Sequence, residues 1–121
     1  MDFFYVKIPW DSAMAAREQL VHERLESALL ARGAGSLLGW GRSLAEAGRP
    51  AFHRIDIEVS APQAARLLLH GALVELGVPF GTELHHTSAE GVALQDNYGP
   101  SGWSAPQPST GSSLPPRRHL P

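Results

Sequence analysis

Six histidines and no cysteine set the first limits on the chemistry this chain of 121 residues can carry. Without cysteine there is no disulfide framework, no thiolate nucleophile and no cysteine-ligated zinc or iron–sulfur centre, and a reducing compartment fits. A metal held by histidine needs further ligands that converge on it. His85 and His86 are adjacent, but adjacent strand residues point to opposite faces, and His53 falls with the apolar set of another strand. Glu18, His22 and Glu26 line up at i, i+4 and i+8 on a helix, where a solvated charged face accounts for them equally well. The expectation is a protein without metal or cofactor.

Nucleophilic catalysis has no better footing, because there is no Gly-x-Ser-x-Gly elbow and no serine with an identifiable base. Asp56 and Glu58 share one strand face and are close enough to perturb each other's titration. With Arg54 and Lys7 nearby, an ion-paired sheet surface explains them better than an acid/base pair does. Gly33, Gly35, Gly39 and Gly41 match neither Walker nor dinucleotide spacing, so they read as a helix cap and strand glycines.

The elements that must position these residues are legible from periodicity. Phe4, Val6, Ile8 and Trp10 alternate with Phe3, Tyr5, Lys7 and Pro9, which predicts a strand. Helical spacing of Val21, Leu25, Ala28 and Leu29 predicts an amphipathic helix over Ser12 to Arg32, ended by Gly33. Ser36 to Arg42 reads as a second strand, and Phe52 to Ser60 as a third, with His53, Ile55, Ile57 and Val59 on one face and Arg54, Asp56 and Glu58 on the other. Ser60, Pro62 and Gln63 mark the start of a second helix, striped by Ala65, Leu68, Leu69, Ala72, Leu73 and Leu76. Gly81 to Thr87 is a fourth strand.

Two helices can cover only one face of such a sheet. The expected fold is therefore α+β, a ferredoxin-like βαββαβ arrangement with a four-stranded antiparallel sheet and two helices on one face, strands 1 and 3 lying in the middle. The uncovered face would carry Phe3, Tyr5 and Lys7, then Arg54, Asp56 and Glu58, then Glu83 and His85. Either this face is open, or the turn-rich segment Asp96 to Trp103 folds over it with Tyr98 and Trp103 as anchors.

Composition changes at residue 104. Ser104 to Pro121 holds five prolines and four serines among 18 residues, too little apolar surface to offset the entropy of ordering it. Residues 1–103 are expected to form the domain and 104–121 a disordered tail whose removal leaves the folded body unchanged. Residues 1–103 carry eight basic and twelve acidic residues, a net charge of −4, which argues against nucleic acid and anionic membranes. Exposed Phe3 and Tyr5 suit base stacking, but the third strand lacks the basic-aromatic signature of RNA-recognition domains. The start of the chain does not read as a signal peptide and no apolar run is long enough for a membrane span, so a cytoplasmic location is expected.

The run Leu25, Leu29, Gly33, Gly35, Gly39, Gly41, then Ile55-Asp56-Ile57-Glu58-Val59, then Leu76-Gly77-Val78-Pro79-Phe80-Gly81-Thr82 resembles a group of short bacterial ferredoxin-like proteins. Some of these resemble immunity proteins encoded beside secreted antibacterial toxins. The likeness spans roughly Phe3 to Leu84, and Trp40 and the Pro/Ser tail depart from it. It implies a non-catalytic domain with a protein partner, a toxin whose basic active site would meet Asp56, Glu58 and Glu83. Phe3, Tyr5 and Trp40 would supply the apolar anchor, with Arg54 and His85 beside them. A homodimer would use the same face. Two other readings stand beside this one. One is a small-molecule regulatory domain with a cleft near Gly33 to Gly41; the other is a cofactor-free enzyme with His85 or Tyr5 as proton carrier.

Overall fold

The alternation at the start of the chain becomes strand β1, Asp2–Pro9, in a computed structural model that describes residues 2–42 and 51–110. Phe4, Val6 and Ile8 are buried on one side of it. Strand β3, Phe52–Val59, pairs antiparallel with the whole of β1, from Asp2 opposite Val59 to Pro9 opposite Phe52, so Ile55 and Ile57 join the same buried layer. Strand β2, Gly35–Arg42, flanks β3, and strand β4, Glu83–Thr87, flanks β1 on the other side. Gly35 is required where it stands, because a Cβ there would strike the Glu58 carbonyl of β3.

Helices α1 (Ser12–Ala15), α2 (Glu18–Leu30) and α3 (Pro62–Glu75) complete the described helical structure. Val21, Leu25 and Leu29 of α2 and Ala65, Leu69 and Leu73 of α3 are fully buried in one cluster with Phe4, Val6, Ile8, Ile55, Ile57 and Leu84. The apolar stripes and the apolar strand face therefore meet in a single core. Among the described residues no helix lies on the opposite face of the sheet.

The fold departs from the sequence reading in four places. The first helix is broken after Ala15: Asp11 caps the short α1 by accepting from the Met14 N–H at 2.8 Å, and Arg17 leaves helical geometry at φ −109° and ψ 11° before α2 begins. Ser60 does not cap α3. Its hydroxyl donates to the Gly33 carbonyl at 2.8 Å, tying the end of β3 to the turn after α2.

The third departure is the size of the sheet. Four strands are expected, but the described residues form seven, because β5 (Ala93–Gly99), β6 (Gly102–Trp103) and β7 (Gln107–Pro108) extend the sheet in the order β2-β3-β1-β4-β5-β6, with β7 also on β5. Asp96 to Trp103 thus runs alongside β4 and not over the open face.

Fourth, the expected domain boundary at residue 103 falls inside the sheet. Residues 104–110, assigned by composition to the tail, are held at the edge by β7 and by the polar side chains of Ser109 and Thr110. Pro108 fits there because an edge position can spare its missing N–H. Residues 111–121 and the connection 43–50 lie outside the described residues. Among the described residues no helix is long and apolar enough to cross a membrane.

Candidate functional site

Strand register assembles the helix-free face. Tyr5 on β1 lies opposite Asp56 on β3 and opposite His85 on β4, and His85 lies opposite Gln95 on β5. Gly39 of β2 completes this cross-sheet row beside Asp56. Arg54 lays its guanidinium 3.6 Å from the Tyr5 ring centre and donates from Nε to Asp56 Oδ1 at 2.9 Å. From the β4 side the His85 ring stacks on Tyr5 with centres 4.3 Å apart. Burial raises the Tyr5 pKa, against the pull of Arg54 and a hydrogen bond with Ser109. The phenol stays protonated.

His85 links two further groups. Its Nε2 lies 2.7 Å from Glu83 Oε1 and its Nδ1 2.7 Å from Ser109 Oγ. The hydrogen bond from His85 holds the Glu83 pKa below its ordinary value, so Glu83 is the acceptor and Nε2 carries the hydrogen. Glu83, His85 and Ser109 thus form an acid–base–hydroxyl chain, and the sequence reading missed the base for this serine because 24 residues separate the two. The two described amides nearest the hydroxyl do not form an oxyanion hole. The Ser109 N–H is spent on the Ala93 carbonyl and the Thr110 N–H on Gln95 Oε1, so neither amide is free to meet a developing charge. The arrangement clamps residues 107–110 onto the sheet.

The predicted site residues therefore divide. Tyr5 and His85 are buried at 6% and 3% exposure, and Asp56 is buried with them. They form a floor and not the displayed surface expected for them: Arg54 lies over Tyr5 and bonds Asp56, and Ser109 bonds His85. Phe3 keeps 39% exposure on the same face, with Glu58 directly opposite in register and Arg54 and Glu83 partly accessible. Trp40 is separated from the group. It lies opposite Ile55, on the helix side, with its ring 4.0 Å from that of His22.

Two polar clusters on the helix side escaped the sequence reading. Asp96 of β5, fully buried, takes Nε and Nη2 of Arg66 at 2.7 and 3.0 Å, Nε2 of His70 at 2.8 Å and Nε2 of His86 at 2.9 Å. Burial alone would raise its pKa, but the bonds from His70, His86 and Arg66 outweigh burial and hold the carboxyl far below the usual range. Arg66 and His70 stand i, i+4 on α3, a spacing visible in the sequence, but nothing there marks Asp96 as their partner. The second cluster is His22 and His53, whose Nε2 atoms are 2.7 Å apart. Glu18, His22 and Glu26, read as a solvated row, instead face the sheet. Glu18 reaches Arg42 at 3.5 Å, His22 meets His53, and Glu26 accepts from the Leu37 N–H at 3.2 Å. Among the described residues no group of three or more His, Asp or Glu side chains is placed to hold a metal ion.

No family model, curated protein or solved structure matches this chain. The geometry offers a sheet face with the exposed Phe3 two residues along β1 from a stacked Arg54–Tyr5–His85 pile.

Proposed function

We propose that this chain is a non-catalytic protein-binding domain, ferredoxin-like in its β1 to β4 core, that presents the helix-free sheet face to a basic protein partner. In its specific form the proposal is neutralisation of a bacterial toxin in the cytoplasm. The observation that carries the reading is Phe3, an aromatic side chain 39% exposed on β1, a strand with neighbours on both sides. A large ring left accessible on that strand, with Glu58 opposite it and Arg54 and Glu83 farther along the same face opposite Lys7, suits an apolar anchor beside charged groups. The pile beside it is held by stacking and a hydrogen bond, which reduces the side-chain entropy lost on binding.

The acidic balance of residues 1–103, at −4, favours a basic partner and fast association with it. Glu58 and Glu83 are the carboxylates this reading assigns to that contact, while Asp56 serves to hold Arg54. The experiment is binding of the protein encoded by the adjacent gene to the wild-type chain and to Phe3→Ala and Glu58→Lys. Loss of the ring should speed dissociation, and reversal of the charge should slow association. A second copy of this chain on the same face is the competing outcome, read by sedimentation.

A further inference from the structure

Away from the helix-free face, the end of the molecule where β1 begins opens into a cleft of about 640 Å³. That size lies within the range of small-molecule sites. One wall is the first turn of α3, with Pro62, Gln63 and Arg66; the other is the β4–β5 turn, with Ser88 and Glu90. Phe4, Leu67 and Leu94 give it apolar surface, and Asp2 stands at the β1 end.

The cleft has two poles of opposite sign. At the α3 wall the N-cap residue is Ala61, which offers no side-chain acceptor, and the hydroxyl of Ser60 is spent on Gly33. The first-turn amides, with the partial positive charge of the helix end, therefore meet no capping side chain, and Arg66 lies beside them with its Nε and Nη2 already held by Asp96. At the other pole are the carboxylates of Asp2 and Glu90.

A buried group points to the same space. His86 lines the cleft at 6% exposure, with Nε2 fixed on Asp96 at 2.9 Å. Because Asp96 is an ionised acceptor, Nε2 carries the hydrogen, and in the neutral ring Nδ1 is the atom left to accept a hydrogen bond. Nδ1 has no hydrogen-bond partner among the described residues.

We propose that this cleft binds a small zwitterion of the amino-acid type. Its carboxylate sits at the first turn of α3 beside Arg66, its ammonium lies toward Asp2, Glu90 and the Nδ1 of His86, and its apolar side chain rests on Phe4 and Leu94. A simple anion would use one pole and face repulsion from the other, and a simple amine the reverse.

The test is an NMR titration of the full chain with L-leucine, L-phenylalanine and L-alanine, and with two forms of leucine that each lack one charge, leucine amide and N-acetyl-leucine. At least one free amino acid, or the dipeptide leucyl-leucine, should shift the Gln63 and Glu90 amides and the His86 Nδ1 resonance, while each one-charge form binds at least about tenfold more weakly. Tighter binding of the dipeptide would assign the site to peptides and not to free amino acids. Glu90→Gln, at an exposed position, should weaken the zwitterion and, by removing a repelling carboxylate, strengthen N-acetyl-leucine. Absence of any shift at the cleft, or equal affinity for charged and one-charge forms, overturns the proposal.

Discussion

His22 on α2 and His53 on β3 share one hydrogen bond, Nε2 to Nε2 at 2.7 Å, so one ring donates and the other accepts. Two imidazolium rings cannot keep that bond. Trp10 lies 4.1 Å from His53 and Trp40 4.0 Å from His22, centre to centre, so the pair is walled by indoles where α2 docks on the sheet. Burial lowers both pKa values, that of His53 to about 4, with His22 and Arg42 adding to the effect there and Glu18 opposing it.

A pH dependence of stability follows from this pair. Between about 4 and an ordinary histidine value of about 6.5, the unfolded chain binds a proton at residue 53 that the folded chain does not. Stability from His53 is therefore fully present above that window and is lost as the pH falls through it. Thermal melting from pH 7 to 4 should show a falling midpoint, and His53→Leu should flatten the fall. An unchanged slope in the variant would contradict the account.

Removing the carboxylate of Asp96 should be costly, because Arg66, His70 and His86 all depend on it. Asp96→Asn is expected to lose about 3 to 5 kcal/mol in chemical denaturation, as when one partner of a buried ion pair is removed. A loss under about 1 kcal/mol would mean that water replaces the carboxylate and that the cluster is not closed.

Leu69 and Leu67 on α3 make a controlled comparison. Leu69 is fully buried and Leu67 is 70% exposed. Leu69→Ala should cost about 2 to 5 kcal/mol and Leu67→Ala less than about 0.5. Similar losses at both positions would mean that α3 is rotated relative to the core.

Truncation after Ala105 should lower the thermal midpoint, in contrast to the expectation from composition. It removes the hydroxyl that meets His85 Nδ1 at 2.7 Å and the two Thr110 bonds to Gln95, each worth about 1 kcal/mol. An unchanged midpoint would show that residues 107–110 contribute no net stability.

Much of the layer that packs the core is legible in the sequence, because Phe4, Val6, Ile8 and Leu69 sit on strict periods of two and 3.6. The divergence of His85 and His86 follows from the same rule: His85 stacks on Tyr5 on one face and His86 meets Asp96 on the other. Strand β5 is hidden because Asp96, a charged residue, takes an inward position that the pattern reserves for apolar side chains. Trp40 is misplaced for a different reason. A bulge between Leu37 and Gly39 adds one residue to β2, and without it Trp40 would pair with Arg54 on the open face in place of Ile55 on the helix side. Ser109 could not be connected to His85 because its segment is polar and proline-rich, and its position is set by the edge of β5 and not by a pattern of its own.

The central claim is that the helix-free face is a protein-binding surface anchored by Phe3. Its most direct test is association kinetics between the product of the adjacent gene and the wild-type, Phe3→Ala and Glu58→Lys chains, at low and high salt, with each variant's fold checked by melting. The account predicts binding whose dissociation rate rises at least about tenfold in Phe3→Ala and whose salt-dependent association slows in Glu58→Lys. Unchanged kinetics in both folded variants, or no binding to the wild-type chain, would contradict it.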